Sequence, residues 1–156
     1  ETKSAASTPA PTLELDRFLP YRLSVLANTV STAIAAAYAE RHGLTIPQWR
    51  VLAVLAQEPG LSAAEVAART AMDKVAVSRA VAGLERERRV RRGAARDDRR
   101  RKRLALTRAG GDVYSRVVPA ALAYERRLLE ALDARAQGAL DDALHRLTER
   151  ARTLQL

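Results

Sequence analysis

Arginine is the side chain in which this sequence concentrates its chemistry. Between Arg86 and Arg108 stand twelve basic residues (86, 88, 89, 91, 92, 96, 99, 100, 101, 102, 103 and 108) against three acids (87, 97 and 98), a local charge of +9. The whole 156-residue chain also carries +9, so fifteen basic residues meet fifteen acids everywhere else. Charge gathered on one short segment is the footprint of a polyanion site, because each phosphate neutralised by Lys or Arg releases condensed counterions. DNA, RNA and an anionic membrane surface all qualify at this stage. Competing chemistry is missing: no nucleophile has a neighbouring base at a recognisable spacing, so no catalytic residue is assigned and no enzyme is expected. Cysteine is absent, and His42 and His145 have no partners at ligand spacing. That leaves no disulfide, no metal and no cofactor to expect.

Just ahead of the arginines, Val77, Val81 and Leu84 recur at helical spacing and predict a buried stripe, which turns Lys74, Val75, Ser78 and Arg79 outward. Lys74 and Arg79 are long donors. An arginine can hold guanine O6 and N7 with two hydrogen bonds, worth about 1 to 3 kcal/mol of discrimination; Ser78 suits a base or a phosphate. Farther on, Arg96, Arg99, Arg100 and Arg101 crowd one loop. Arg99 and Arg100 have the reach and charge to enter a narrow minor groove. Asp98 fits the task of fixing one of them in a single rotamer by a charge-assisted hydrogen bond. Ser62 could aim backbone N–H groups at a phosphate, although capping alone accounts for it. The plain alternatives are a solvated helix face and a solvated charge run.

The elements that position these residues are mostly helical. Hydrophobic residues make up 47% of the chain but aromatics only 4%, which favours helices packed through small side chains. No apolar run approaches the roughly 20 residues of a spanning helix and the N-terminus lacks a signal pattern, so a cytoplasmic location without membrane contact is expected. Residues 1–12, rich in Ser, Thr, Ala and Pro, read as a disordered tail. Leu15, Leu19, Leu23, Leu26, Val30, Ile34 and Tyr38 then recur at steps of three and four, predicting one long helix that starts near Leu19 or Pro20 and stops at Gly43. Thr45 with Gln48, and Ser62 with Glu65, are spaced as capping boxes, each flanked by a hydrophobic staple, and Asp73 is a third N-cap. Three short helices follow, over 46–57, 63–70 and 74–88, the last two with the proportions of a helix-turn-helix. Val90, then Leu104 and Leu106 alternating with polar or small residues, predict a two-stranded hairpin with its tip at 96–101. Thr107 caps a helix running to about Leu132, kinked at Pro119, and a final helix sets Leu140, Leu144, Leu147, Ala151 and Leu154 on one face. The expected fold is mainly α with a small β-hairpin wing.

This order of elements resembles the MarR (multiple antibiotic resistance regulator) family. Asp98-Arg99-Arg100, followed by Leu106-Thr107 and Gly110, carries the most specific part of the likeness. Leu44-Thr45 before Trp49-Arg50-Val51-Leu52, Leu61-Ser62 before Glu65-Val66-Ala67, and Ser78-Arg79 ahead of Leu84-Glu85 agree more loosely. The run Arg99 to Arg103 is denser than the family's wing. The resemblance covers 13–154 and implies a winged helix-turn-helix over 45–106 between dimerisation helices at 13–43 and 108–154. It further implies a homodimeric, sequence-specific repressor on a pseudo-palindromic operator of double-stranded DNA. A small aromatic or anionic effector would lie between Tyr21, Arg22 and Tyr38 on one side and Trp49 and Arg50 on the other. The rival from a different class is a non-specific architectural DNA binder that relies on the arginine wing alone.

Overall fold

The computed structural model describes residues 12–94 and 102–154. The expected tail, apart from Thr12, and the tip residues Arg96, Asp98, Arg99, Arg100 and Arg101 lie outside the described residues. A single 3-10 turn, Leu15–Arg17, precedes α1, Leu19–Ala35. Phe18 is extended and Pro20 sits in the first turn of α1, where its missing N–H has no helical partner to lose. The long helix expected up to Gly43 is not continuous. It breaks over residues 36–38 and resumes as α2, Ala39–His42, which ends on Gly43 in the left-handed conformation at φ 64°. The break has a tertiary cause: it seats Tyr38, only 1% exposed, with its ring stacked on Trp49 at 5.6 Å between centroids.

Local signals set the next elements. α3, Ile46–Gln57, and α4, Ala63–Thr70, both begin in complete capping boxes, Thr45 with Gln48 and Ser62 with Glu65. Asp73 accepts from the Ala76 amide at 2.8 Å and starts α5, Lys74–Arg86, two residues shorter than expected because Arg88 turns left-handed at φ 56°. Between α4 and α5 the chain turns through Ala71, also left-handed.

β1, Val90–Ala94, pairs antiparallel with β2, Lys102–Leu106, Val90 opposite Leu106 and Arg92 opposite Leu104. Leu61 adds one bridge to Leu104, so the hairpin is tied at the middle of β2 to the loop before α4. Thr107 caps α6, Arg108–Leu129, which runs through Pro119; α7, Ala134–Thr153, follows an Asp133 cap. The core lies inside the helix-turn-helix and wing: Val51, Leu52, Leu55, Val66, Val77, Val81, Leu84 and Leu104 are at most 1% exposed, joined by Val117 of α6. At roughly 1.5 to 3 kcal/mol for each fully buried Val or Leu, this cluster holds the unit together. α1 and α7 contribute no buried residue to it.

Candidate nucleic-acid interface

The candidate face comes from one helix, α5, whose inner side is fully committed. Val77, Val81 and Leu84 have no exposed surface, and the same geometry turns Lys74, Val75, Ser78 and Arg79 out to solvent, Val75 to 59%. Neither Lys74 nor Arg79 enters a hydrogen bond or ion pair among the described residues. They are free donors on a rigid support. The Asp73 cap fixes where that face begins.

Several other arginines of the basic segment are already engaged. Arg92 holds Glu85 through Nε at 2.8 Å, bracing the wing against α5. Arg103 donates through Nη1 to the Gly60 carbonyl at 3.1 Å and pairs with Glu65 at 3.0 Å, fastening β2 to the start of α4. Arg89 sends Nη2 to the His42 carbonyl at 2.6 Å and pairs with Glu87 at 3.0 Å. Its own carbonyl accepts from the Thr107 amide. Arg89 thus joins the end of α2, the entry to the wing and the start of α6. Sequence reasoning passed over all three residues, for a physical reason: the hydrogen-bond partners Glu85, Gly60 and His42 are 7, 43 and 47 residues away in the chain. Ser62 Oγ accepts from the Glu65 amide at 3.2 Å, so its hydroxyl serves the cap.

The residues expected to line an effector cleft divide. Trp49 lies between Tyr38 and Tyr114, centroids 5.6 and 5.7 Å apart, and Arg50 donates to Ser31 Oγ at 3.1 Å. Burial raises the Tyr38 phenol above its ordinary pKa of 10.0, and the nearby Arg50 charge partly opposes the shift. Tyr114, absent from the sequence expectation, completes this stack from α6. Tyr21 and Arg22 are not part of it in one chain: they sit in the first turn of α1, about ten residues and roughly 15 Å of helix from Ser31. Trp49 is therefore already stacked with two tyrosines.

Among the described residues no group of acids and histidines could hold a metal ion, and no helix is long and apolar enough to cross a membrane. The MarR family model matches residues 42–101, from the end of α2 through β1 and up to the start of β2. Among solved structures, a MarR/EmrR family transcriptional regulator from Acinetobacter sp. ADP1 is similar at 25% identity, over 91% of this chain and 100% of its own, with a TM-score of 0.82. A MarR family transcriptional regulator from Silicibacter pomeroyi is similar at 24% identity over 92% of this chain and 96% of its own, TM-score 0.77. BpsR of Bordetella bronchiseptica, whose DNA binding is regulated by 6-hydroxynicotinic acid, aligns at 19% identity over 88% and 98%, TM-score 0.76. No curated protein matches the sequence significantly.

Proposed function

From a winged helix that is of the MarR family over residues 42–101, in a chain that has the fold of that family's transcriptional regulators, we infer a sequence-specific DNA-binding regulator. It acts as a homodimeric repressor on a pseudo-palindromic operator, within the cytoplasm. The observation that carries this reading is the outward face of α5, where Lys74, Ser78 and Arg79 stand free above a fully buried stripe. Arg79 is the base reader, by bidentate donation to guanine, and Lys74 and Ser78 hold the helix in register on phosphates or base edges. Ser62 adds the N-terminal end of α4. The wing residues Arg96, Asp98, Arg99, Arg100 and Arg101 supply the minor-groove contact. A small aromatic or anionic effector is the further part of the proposal, supported by the cation Arg50 beside the Tyr38 and Trp49 rings and by the effector-regulated relative.

Selection of bound sequences from a random duplex pool tests the reading. A pseudo-palindrome is expected, and Arg79→Ala should relax one base position at a cost of about 1 to 3 kcal/mol while leaving binding to random DNA nearly unchanged. The concentration of +9 on residues 86–108 is what favours the architectural alternative. Absence of any enriched sequence, together with equal losses on operator and random DNA for Arg79→Ala, would establish that alternative instead.

A further inference from the structure

Among the described residues Gln48 is the buried polar side chain, 7% exposed, and it belongs to the capping box of α3. Its Oε1 accepts from the Thr45 amide at 2.9 Å. An amide that spends its oxygen on a backbone donor must turn its NH2 the other way, and here that way leads to Gly83 of α5. A Cβ at position 83 would stand 2.6 Å from Nε2, so the glycine makes room for the amide. Nε2 finds no hydrogen-bond partner among the described residues. In front of it opens a groove of about 340 Å³ between the N-terminus of α3 and the flank of α5, lined by Thr45, Pro47, Gln48, Arg79, Gly83 and Arg86 among others. Arg79 and Arg86 are exposed and enter no ion pair among the described residues.

The second capping box shows what is special about the first. At α4 the same position is Glu65, whose carboxylate accepts from the Ser62 amide at 2.7 Å and also attracts Arg103. Glu and Gln cap equally well. What differs is the second atom of the group: Glu turns an acceptor outward, Gln a donor. At α3 that donor joins two guanidinium groups and the positive end of the helix dipole, which together favour an oxyanion.

We propose that this groove seats one backbone phosphate of the duplex, beside the base step that Arg79 reads, with Gln48 Nε2 and Arg86 as its donors. The proposal rests on the DNA-binding reading above and adds a contact outside the recognition face and the wing. Phosphate there fixes the angle at which α5 enters the groove, so it contributes affinity without sequence preference.

Gln48→Glu tests it directly, because the cap survives and only the donor is exchanged for a negative acceptor. Expected are an unchanged melting temperature and an affinity lowered about tenfold or more on operator and random duplex alike. Arg86→Ala, at an exposed position, should reduce the slope of log affinity against log salt by about one. In parallel, inorganic phosphate without DNA, compared with chloride at equal ionic strength, reports on a free oxyanion. Should phosphate stabilise the wild type while both variants keep wild-type DNA affinity and slope, the groove takes a free anion and the duplex-phosphate assignment is wrong. Unaltered DNA binding with no phosphate effect also overturns it. If the wild type selects an operator and the variants match it, the seat alone fails; a wild type that binds no duplex overturns the DNA-binding reading and the seat with it.

Discussion

Arg79 and Arg103 are chemically one side chain in two occupations, and their surroundings separate them. Arg103 is held between a carbonyl and a carboxylate, so its charge is spent within the fold, whereas Arg79 has no partner among the described residues. Outward orientation on α5 was legible in the sequence because it follows from the period of Val77, Val81 and Leu84 within one helix. Tyr114 was not, because stacking on Trp49 depends on how α6 crosses α3. Tyr38 gives this scale its prediction. Its folded-state pKa is raised by burial, with Arg50 pulling the other way. The folded protein therefore holds the phenol proton more tightly than the unfolded chain does. The stability this lends is complete below the ordinary tyrosine pKa of 10.0 and is lost as pH rises through the folded value. Arg50→Met should move the Tyr38 titration further up, and alkaline unfolding of the wild type should begin as Tyr38 ionises. Tyrosinate absorbance, differenced against Tyr38→Phe, measures it; a Tyr38 titrating at or below 10.0 contradicts the burial argument.

Among the elements, the boundaries fixed by residues three apart were the ones the sequence revealed, since a cap is decided by side chain and backbone within one turn. α3, α4 and the start of α5 fall where Thr45, Ser62 and Asp73 put them. The interruption at 36–38 was hidden: the apolar period continues through Ile34 to Tyr38, and only the ring stack draws the chain aside. The joint between wing and α6 shows how much one corner can carry. Thr107 Oγ1 donates to the Arg88 carbonyl at 2.6 Å and accepts from the Gly110 amide at 3.1 Å, and a Cβ on Gly110 would run into the Arg89 carbonyl. Thr107→Val keeps the shape and removes both hydrogen bonds, so it should cost about 1 to 2 kcal/mol in denaturant unfolding. Gly110→Ala should cost about 1 to 3 kcal/mol by forcing backbone to move, and hydrogen exchange should quicken at the wing base before it does in α3. Equal protection at the wing in Gly110→Ala and the wild type would show that α6 does not clamp that corner.

At the scale of the molecule, the two terminal helices present an unsolved surface. α1 and α7, of 17 and 20 residues, have no fully buried residue in the single chain, and Leu19, Leu23 and Leu26 on one and Leu140, Leu144 and Leu147 on the other are 41 to 54% exposed. Leu122 and Leu128 of α6 are likewise exposed. Amphipathic helices owe most of their stability in water to a covered apolar face, and a face this extended is what an isologous dimer conceals. A dimer also supplies what one winged helix lacks, a second α5 held about 34 Å from the first, one turn of B-DNA. The effector reading then has a definite energetic limit: a ligand shifts that separation by no more than its own difference in affinity between the two arrangements. Replacing Leu144 with Asp should break the proposed dimer by burying a charge in its shared face. Sedimentation should show a monomer, the concentration dependence of the melting temperature should vanish, and operator affinity should fall towards that for a half-site, while the core of α3 to α5 stays protected. A wild-type chain that sediments as a monomer with α1 and α7 fully protected from exchange would mean that something other than a second copy covers these leucines, and the paired-helix geometry would have to be given up.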